Sequence, residues 1–254
     1  MPRNKKRIFF TLLLSLMALL MLSSGILLYL RYFDGSPGVY YKDFGIHIPG
    51  HYQIHGIDVS KYQKKIAWEQ VEQMEVDHMK LGFVFVKATQ GTGTVDPRFE
   101  RNWYHAKRVG LVRGAYHYFN VYESGRSQAH NFMQMVKLTS GDLPPVLDIE
   151  QVGGMPANEL RSNLKNWLTT IEHHYCVKPI IYTYADFYED YLLGFFDDYP
   201  LWVAHYHNGD HPRTSRKWHF WQHNEEGHVN GINAPVDFNV FNGDSSSFQQ
   251  LLLP

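Results

Sequence analysis

Residues 144–152, PPVLDIEQV, are apolar until they deliver two acids, Asp148 and Glu150, one residue apart. In an extended chain such a pair shares a face, with α-carbons about 6.6 Å apart at a rise of about 3.3 Å per residue. Carboxyls crowded in this way resist ionising together. Their pKa values are pushed apart, and an acid and a base can then coexist at neutral pH. A strand end running into solvent would carry the same residues with no such role, so the rest of the chain has to decide. Two further acids stand in comparable places: Asp58 ends IHGIDVS, and Asp237 lies in VDFNVF.

Elements must exist that bring these acids together. Short β-rich apolar runs occur at residues 54–60, 82–89, 112–119, 145–150, 179–184, 201–206, 218–223 and 236–241. Helical spacing fills the gaps between the first five, at 66–79, 97–109, 124–138 and 158–175, and a fifth helical run covers 185–196. In the first of these, Ile66, Val71, Met74 and Met79 are expected to line one face. Alternation of strand and helix implies parallel strands with helical crossovers, and eight strands imply closure. The last three strands are joined by loops such as HNGDHPRTSRK. The expected fold is therefore α/β, an irregular TIM-like (β/α)5β3 barrel over residues 54–254.

Active sites of such barrels gather at the C-terminal ends of the strands. Closure sets the first strand beside the eighth, so Asp58 and Asp237 are expected side by side, facing the mouth that receives Asp148 and Glu150. Aromatics crowd the same strand ends: Tyr62, Tyr116, Tyr118, Tyr182, Tyr184, Trp202, Tyr206 and Trp221. Rings between acids suit sugars, which stack their C–H faces on aromatics and hydrogen-bond through their hydroxyls. Hydrolysis of a glycoside needs a protonated carboxyl for the leaving oxygen and a carboxylate at the sugar carbon, and the Asp148/Glu150 pair meets that need.

The N-terminal region reads differently. Ile8 to Leu30 is an uncharged run of 23 residues, long enough to cross a hydrocarbon core of about 30 Å as a helix. The basic tail before it, residues 1–7, is expected to stay in the cytoplasm, which makes 8–30 a transmembrane anchor in the lipid bilayer, or a long signal peptide, with the barrel outside, periplasmic or at the cell surface. Residues 31–53, rich in Gly, Pro and Tyr, read as a stalk or lead-in. The first 31 residues hold five of the 24 basic residues and no acid, leaving 19 basic against 25 acidic beyond them. That balance argues against nucleic acid as a partner. A single cysteine, Cys176, permits no internal disulfide and reads as a small buried residue.

The motifs HGIDVSKYQ, FVFVKATQGTGTVDPRFERNW, RGAYHYF, PVLDIE, PIIYTY, LWVAHY and FWQH…VDFNVFNG, taken in order, resemble those of the family 25 glycoside hydrolases. Those enzymes are muramidases, or lysozymes, that cut peptidoglycan between N-acetylmuramic acid and N-acetylglucosamine. The resemblance covers residues 54 to 243. It implies the same irregular barrel and a peptidoglycan glycan strand as substrate; no cofactor is expected, and the chain is expected to act as a monomer. It also implies Glu150 as proton donor and Asp148 as its partner acid, with Asp58 and Asp237 matching the acids of the opening and closing motifs. Tyr62, Tyr116, Tyr118, Tyr182, Trp202 and Trp221 are the expected substrate contacts. In the environment of such a pair, Glu150 is expected to keep its proton while Asp148 stays ionised. One departure is visible: the family often has KATEG where this chain has KATQG, so Gln90 replaces an acid and bears on subsite preference.

Two other classes fit parts of the sequence. His207 and His211 in HYHNGDH are four residues apart, as two metal ligands on a helix would be, which is the pattern of a metal-dependent polysaccharide deacetylase. Asn-Gly-Asp between them breaks helices, so the segment reads as a loop and no metal site is expected. A non-catalytic wall-binding barrel would have lost an acid, and none is lost here.

Overall fold

A computed structural model of the chain describes residues 12–25, 38–206 and 209–254. Eight strands close into a barrel: β3 (His55–Val59), β5 (Met79–Gln90), β7 (Val112–Tyr118), β8 (Val146–Asp148), β9 (Ile180–Tyr184), β10 (Leu201–Ala204), β11 (Phe220–Gly227) and β12 (Val236–Phe241), with the short β6 (Thr94–Val95) turned back antiparallel on the end of β5. The first seven run parallel in chain order, and β12 is antiparallel to both β11 and β3, whose pairing with β5 completes the ring. Helices follow the first five barrel strands, at Trp68–Gln73, Phe99–Arg108, Gly125–Met135, Ala157–Tyr175 and Ala185–Phe187, the last continued by a π-helical turn over Tyr188–Leu192. The closed eight-strand α/β barrel expected from the alternation is present.

Strand alternation divides the core in two. Val84, Val86, Leu147, Ile181, Val203 and Phe238 face outward and pack beneath the helices, among them Trp68, Phe132 and Trp167. Phe83, Phe85, Val146, Ile180, Trp202 and Phe220 face inward and fill the barrel floor. Two glycines make room for these rings: a Cβ on Gly56 would lie 2.5 Å from the Phe83 ring, and one on Gly114 would lie 2.5 Å from that of Phe85. Reversal of β12 returns the chain to the floor, where a last helix, Ser245–Leu251, inserts Phe248 against Phe83, Phe220 and Phe241.

Three local expectations are corrected. The first helix ends at Gln73 rather than continuing to residue 79, because Asp77 and His78 take positive φ (49° and 68°) and turn β4 (Glu75–Val76) back onto β5 as a tight hairpin. Cys176 is exposed rather than buried, and it is the left-handed residue, φ 56°, that stops the helix before it. Within the segment read as a lead-in, β1 (Val39–Tyr41) and β2 (Ile46–Ile48) form a hairpin on the barrel wall. Its Phe44, Ile46 and Ile48 are buried, and Phe44 meets Phe238 edge-on at 5.2 Å.

Residues 12–25 are helical and exposed. Fourteen residues at about 1.5 Å each extend about 21 Å. Among the described residues no helix is long and apolar enough to cross a membrane. The rest of the expected span, residues 8–11 and 26–30, lies outside the described residues.

Candidate active site

All eight barrel strands contribute to one cleft, which lies at the C-terminal ends of the seven parallel strands. Asp58 stands on β3, Lys87 on β5, Tyr116 and Tyr118 on β7, and Asp148 on β8 with Glu150 just beyond it. Tyr182 and Tyr184 come from β9, Trp202 from β10 with Tyr206 following, Gln222 and Glu225 from β11, and Asp237 from β12. Asp237 reaches the mouth because β12 runs backwards and begins there. The cleft is open at its mouth, with about 240 Å³ of space inside it.

Two carboxyl pairs face each other across it. In the first, Asp58 and Asp237 are direct cross-strand partners joined by a hydrogen bond. Asp58 Oδ2 also accepts from Gln222 Nε2 and Asn239 Nδ2, each at 2.8 Å. Gln222 is aimed by the hydroxyls of Tyr182 and Tyr206, which donate to its Oε1 at 2.7 and 2.6 Å. Asn239 is aimed by the indole N–H of Trp202 at 2.7 Å. Burial raises Asp58 to about 6, its amide donors holding it from going higher. Asp237, raised by burial and by the charge of Asp58, goes to about 9. Burial and mutual repulsion thus favour a proton held by the pair, and the two amide donors favour placing the remaining negative charge on Asp58.

The second pair is Asp148 and Glu150, hydrogen-bonded to each other. Desolvation raises both pKa values, and that of Asp148, which is buried, rises well above the usual carboxylate range; Glu150 is half-buried. Burial thus favours a proton shared between the two, and its push is stronger on the deeper Asp148, whose carboxylate would be the costlier to desolvate. Asp148 Oδ1 is buried without a hydrogen-bond partner.

Of the expected substrate contacts, Tyr62, Tyr116, Tyr118, Tyr182 and Trp202 line the cleft. Tyr62 is 70% exposed at the rim, while Tyr182 and Trp202 are buried in its wall. Trp221 does not line it. Its ring is fully buried on the outer face of β11, against Tyr52 and Trp218, and its indole N–H donates to the carbonyl of His205. Lys87, Gln222 and Asn239 were missed. Lys87 shares strand parity with Phe83 and Phe85, which is a readable signal for an inward cation; the two amides carry no charge that would single them out. His211 is exposed and His207 lies outside the described residues. Among the described residues, no group of three or more His, Cys, Asp or Glu is arranged to hold a metal ion.

Comparisons with known proteins agree with this architecture. The family described as "Glycosyl hydrolases family 25" matches residues 57–232. The chain is 48% identical over 208 residues to the uncharacterized protein YegX of Escherichia coli K12, covering 82% of this chain and 76% of that one. It is 33% identical over 208 residues to lysozyme M1 of Streptomyces globisporus, covering 76% and 69% respectively. Its structure superposes on that of a family 25 glycosyl hydrolase from Bacillus anthracis with a TM-score of 0.73 at 30% identity, covering 82% of this chain and 99% of the other.

Proposed function

The chain belongs to the family 25 glycosyl hydrolases, and on that premise we propose that it is a muramidase whose catalytic acid is Glu150. Its substrate is the β-1,4-linked glycan of peptidoglycan, cut between N-acetylmuramic acid and N-acetylglucosamine. The observation that carries the reading is the pair of hydrogen-bonded carboxyl pairs facing one aromatic cleft. Glu150 lies nearer solvent than Asp148, where a leaving oxygen can reach it. A glycan that covers Glu150 strips its water, raises its pKa and draws the shared proton outward from Asp148. Asp148, with an untied oxygen, is then the partner on the sugar side. Asp58, ionised between two amide donors, offers negative charge to the oxocarbenium-like centre. Tyr62, Tyr116, Tyr118, Tyr182 and Trp202 supply the contacts that hold the sugar rings.

Digestion of purified peptidoglycan by the full-length protein, with mass spectrometry of the products, tests this reading. New reducing ends on N-acetylmuramic acid are expected. Reducing ends on N-acetylglucosamine, or release of acetate without chain cleavage, would overturn it. We also place the barrel outside the cytoplasm, tethered through residues 8–30, on the strength of the uncharged run after a basic start. A reporter joined after Pro254 should be active only if it works outside the cytoplasm; activity of a cytoplasm-only reporter there would reverse the topology.

A further inference from the structure

Among the described residues lining the cleft, Lys87 is the only cation, and a defect in β5 aims it. The pairing of β5 with β7 slips between Lys87 and Thr89: Lys87 stands opposite Tyr116, Thr89 opposite His117 and Gln90 opposite Tyr118. Ala88 is thereby left over as a bulge. A regular strand would send residues 87 and 90 to opposite faces, but the extra residue returns Gln90 to the face of Lys87. Lys87 Nζ consequently donates to Gln90 Oε1 at 3.0 Å and sits 4.5 Å from the centre of the Tyr118 ring.

Every charged group near this ammonium can be named. Burial lowers the pKa of Lys87; against it Asp148 and Glu150 on the β8 side and Asp96 from the loop after β6 act to keep it charged, while Lys61 beyond β3 opposes them. Asp58 acts on both Asp148 and Glu150, Asp237 stands behind Asp58, and Tyr116, Tyr118, Tyr182 and Tyr184 face the same pair. Lys87 is the cation that favours ionisation of both Asp148 and Glu150. Gln90 binds it with a neutral oxygen, whereas a carboxylate at that place would take up part of its charge.

We propose that the bulge-built Lys87–Gln90 clamp is a positioning device that sets the protonation of the Asp148/Glu150 pair, Gln90 fixing the ammonium without cancelling it. The inference rests on the muramidase reading only for its activity readout, so the test has two arms. In the first, kcat on peptidoglycan is followed against pH for full-length wild type, Lys87→Met, Lys87→Arg and Gln90→Glu. Loss of the cation in Lys87→Met should move both limbs of the profile to higher pH by about one unit or more. Gln90→Glu should move them the same way by less, and Lys87→Arg should leave them near wild type. In the second arm, carboxyl ¹³C signals of Asp148 and Glu150 are titrated in wild type and Lys87→Met, which needs no turnover. An upward move of the pair in the folded variant supports the clamp. A folded Lys87→Met protein that loses rate with its limbs unmoved, or whose carboxyl titration matches wild type, overturns it. A wild type that cuts no glycan overturns the muramidase reading instead, and the carboxyl titration still decides the clamp.

Discussion

The two carboxyl pairs of the cleft are built in opposite ways. Asp58 and Asp237 meet across adjacent antiparallel strands and are tied by amides, which are themselves tied by Tyr182, Tyr206 and Trp202. Asp148 and Glu150 leave one strand end two residues apart, with one oxygen of Asp148 untied. Fixed donors decide which member of the first pair is ionised. In the second, depth, a nearby cation, the charge of Asp58 and the bond between the two decide, and a substrate changes depth. A tied pair keeps a constant field, and a loosely held pair can pass a proton.

The largest effect should come from breaking the loose pair. Glu150→Gln preserves shape and removes the transferable proton, so kcat on peptidoglycan should fall by at least the ~10²-fold typical of lost general-acid catalysis, with glycan binding and the melting temperature retained. Near-normal turnover by the folded variant would assign the acid elsewhere.

Loosening the tied pair sharpens the comparison. Gln222→Leu deletes one of the two amide donors to Asp58, whose pKa of about 6 should then rise. The acidic limb of the rate profile is expected to move upward by about one unit, equivalent to ~1.4 kcal/mol of lost preference for the carboxylate. An acidic limb that stays in place would mean that the ionisation of Asp58 does not limit the rate.

A third and smaller effect is on stability. Asp237 has a folded-state pKa of about 9 against an ordinary value of 3.8. The stability it contributes is complete below about pH 4 and is lost as pH rises through 9, because the unfolded chain ionises freely while the folded site resists. Asp237→Asn stays neutral, so it should flatten this decline and raise the melting temperature at pH 8 relative to wild type. A steeper decline in the variant would show that the carboxyl proton is needed for packing.

Much of this was legible because parity along most strands is unambiguous. In PVLDIE the outward residues are Leu147 and Ile149, and the inward ones end in acids. WHFWQH gave no such guide, since aromatics occupy both of its faces: Phe220 points in, Trp221 points out, and only tertiary pairing tells them apart. The β1–β2 hairpin was hidden because strands of three residues among Gly, Pro and Tyr carry too short a period to read. In residues 66–79 the apolar positions fit a helix, but left-handed Asp77 and His78 let the chain turn back instead. The bulge at Ala88 leaves no mark on the alternation of FVFVK before it, so the meeting of Lys87 and Gln90 was visible only in three dimensions.

The stack of phenylalanines below Trp202 has a consequence for proton traffic. Phe83, Phe85, Phe220, Phe241 and Phe248 offer neither donor nor acceptor, and they close the barrel beneath the acids. No chain of water can feed the site from below, so the four carboxyls exchange with bulk solvent through the mouth alone. The substrate and the water that hydrolyses it therefore approach from the same side, and every proton the acids give up is replaced from that side.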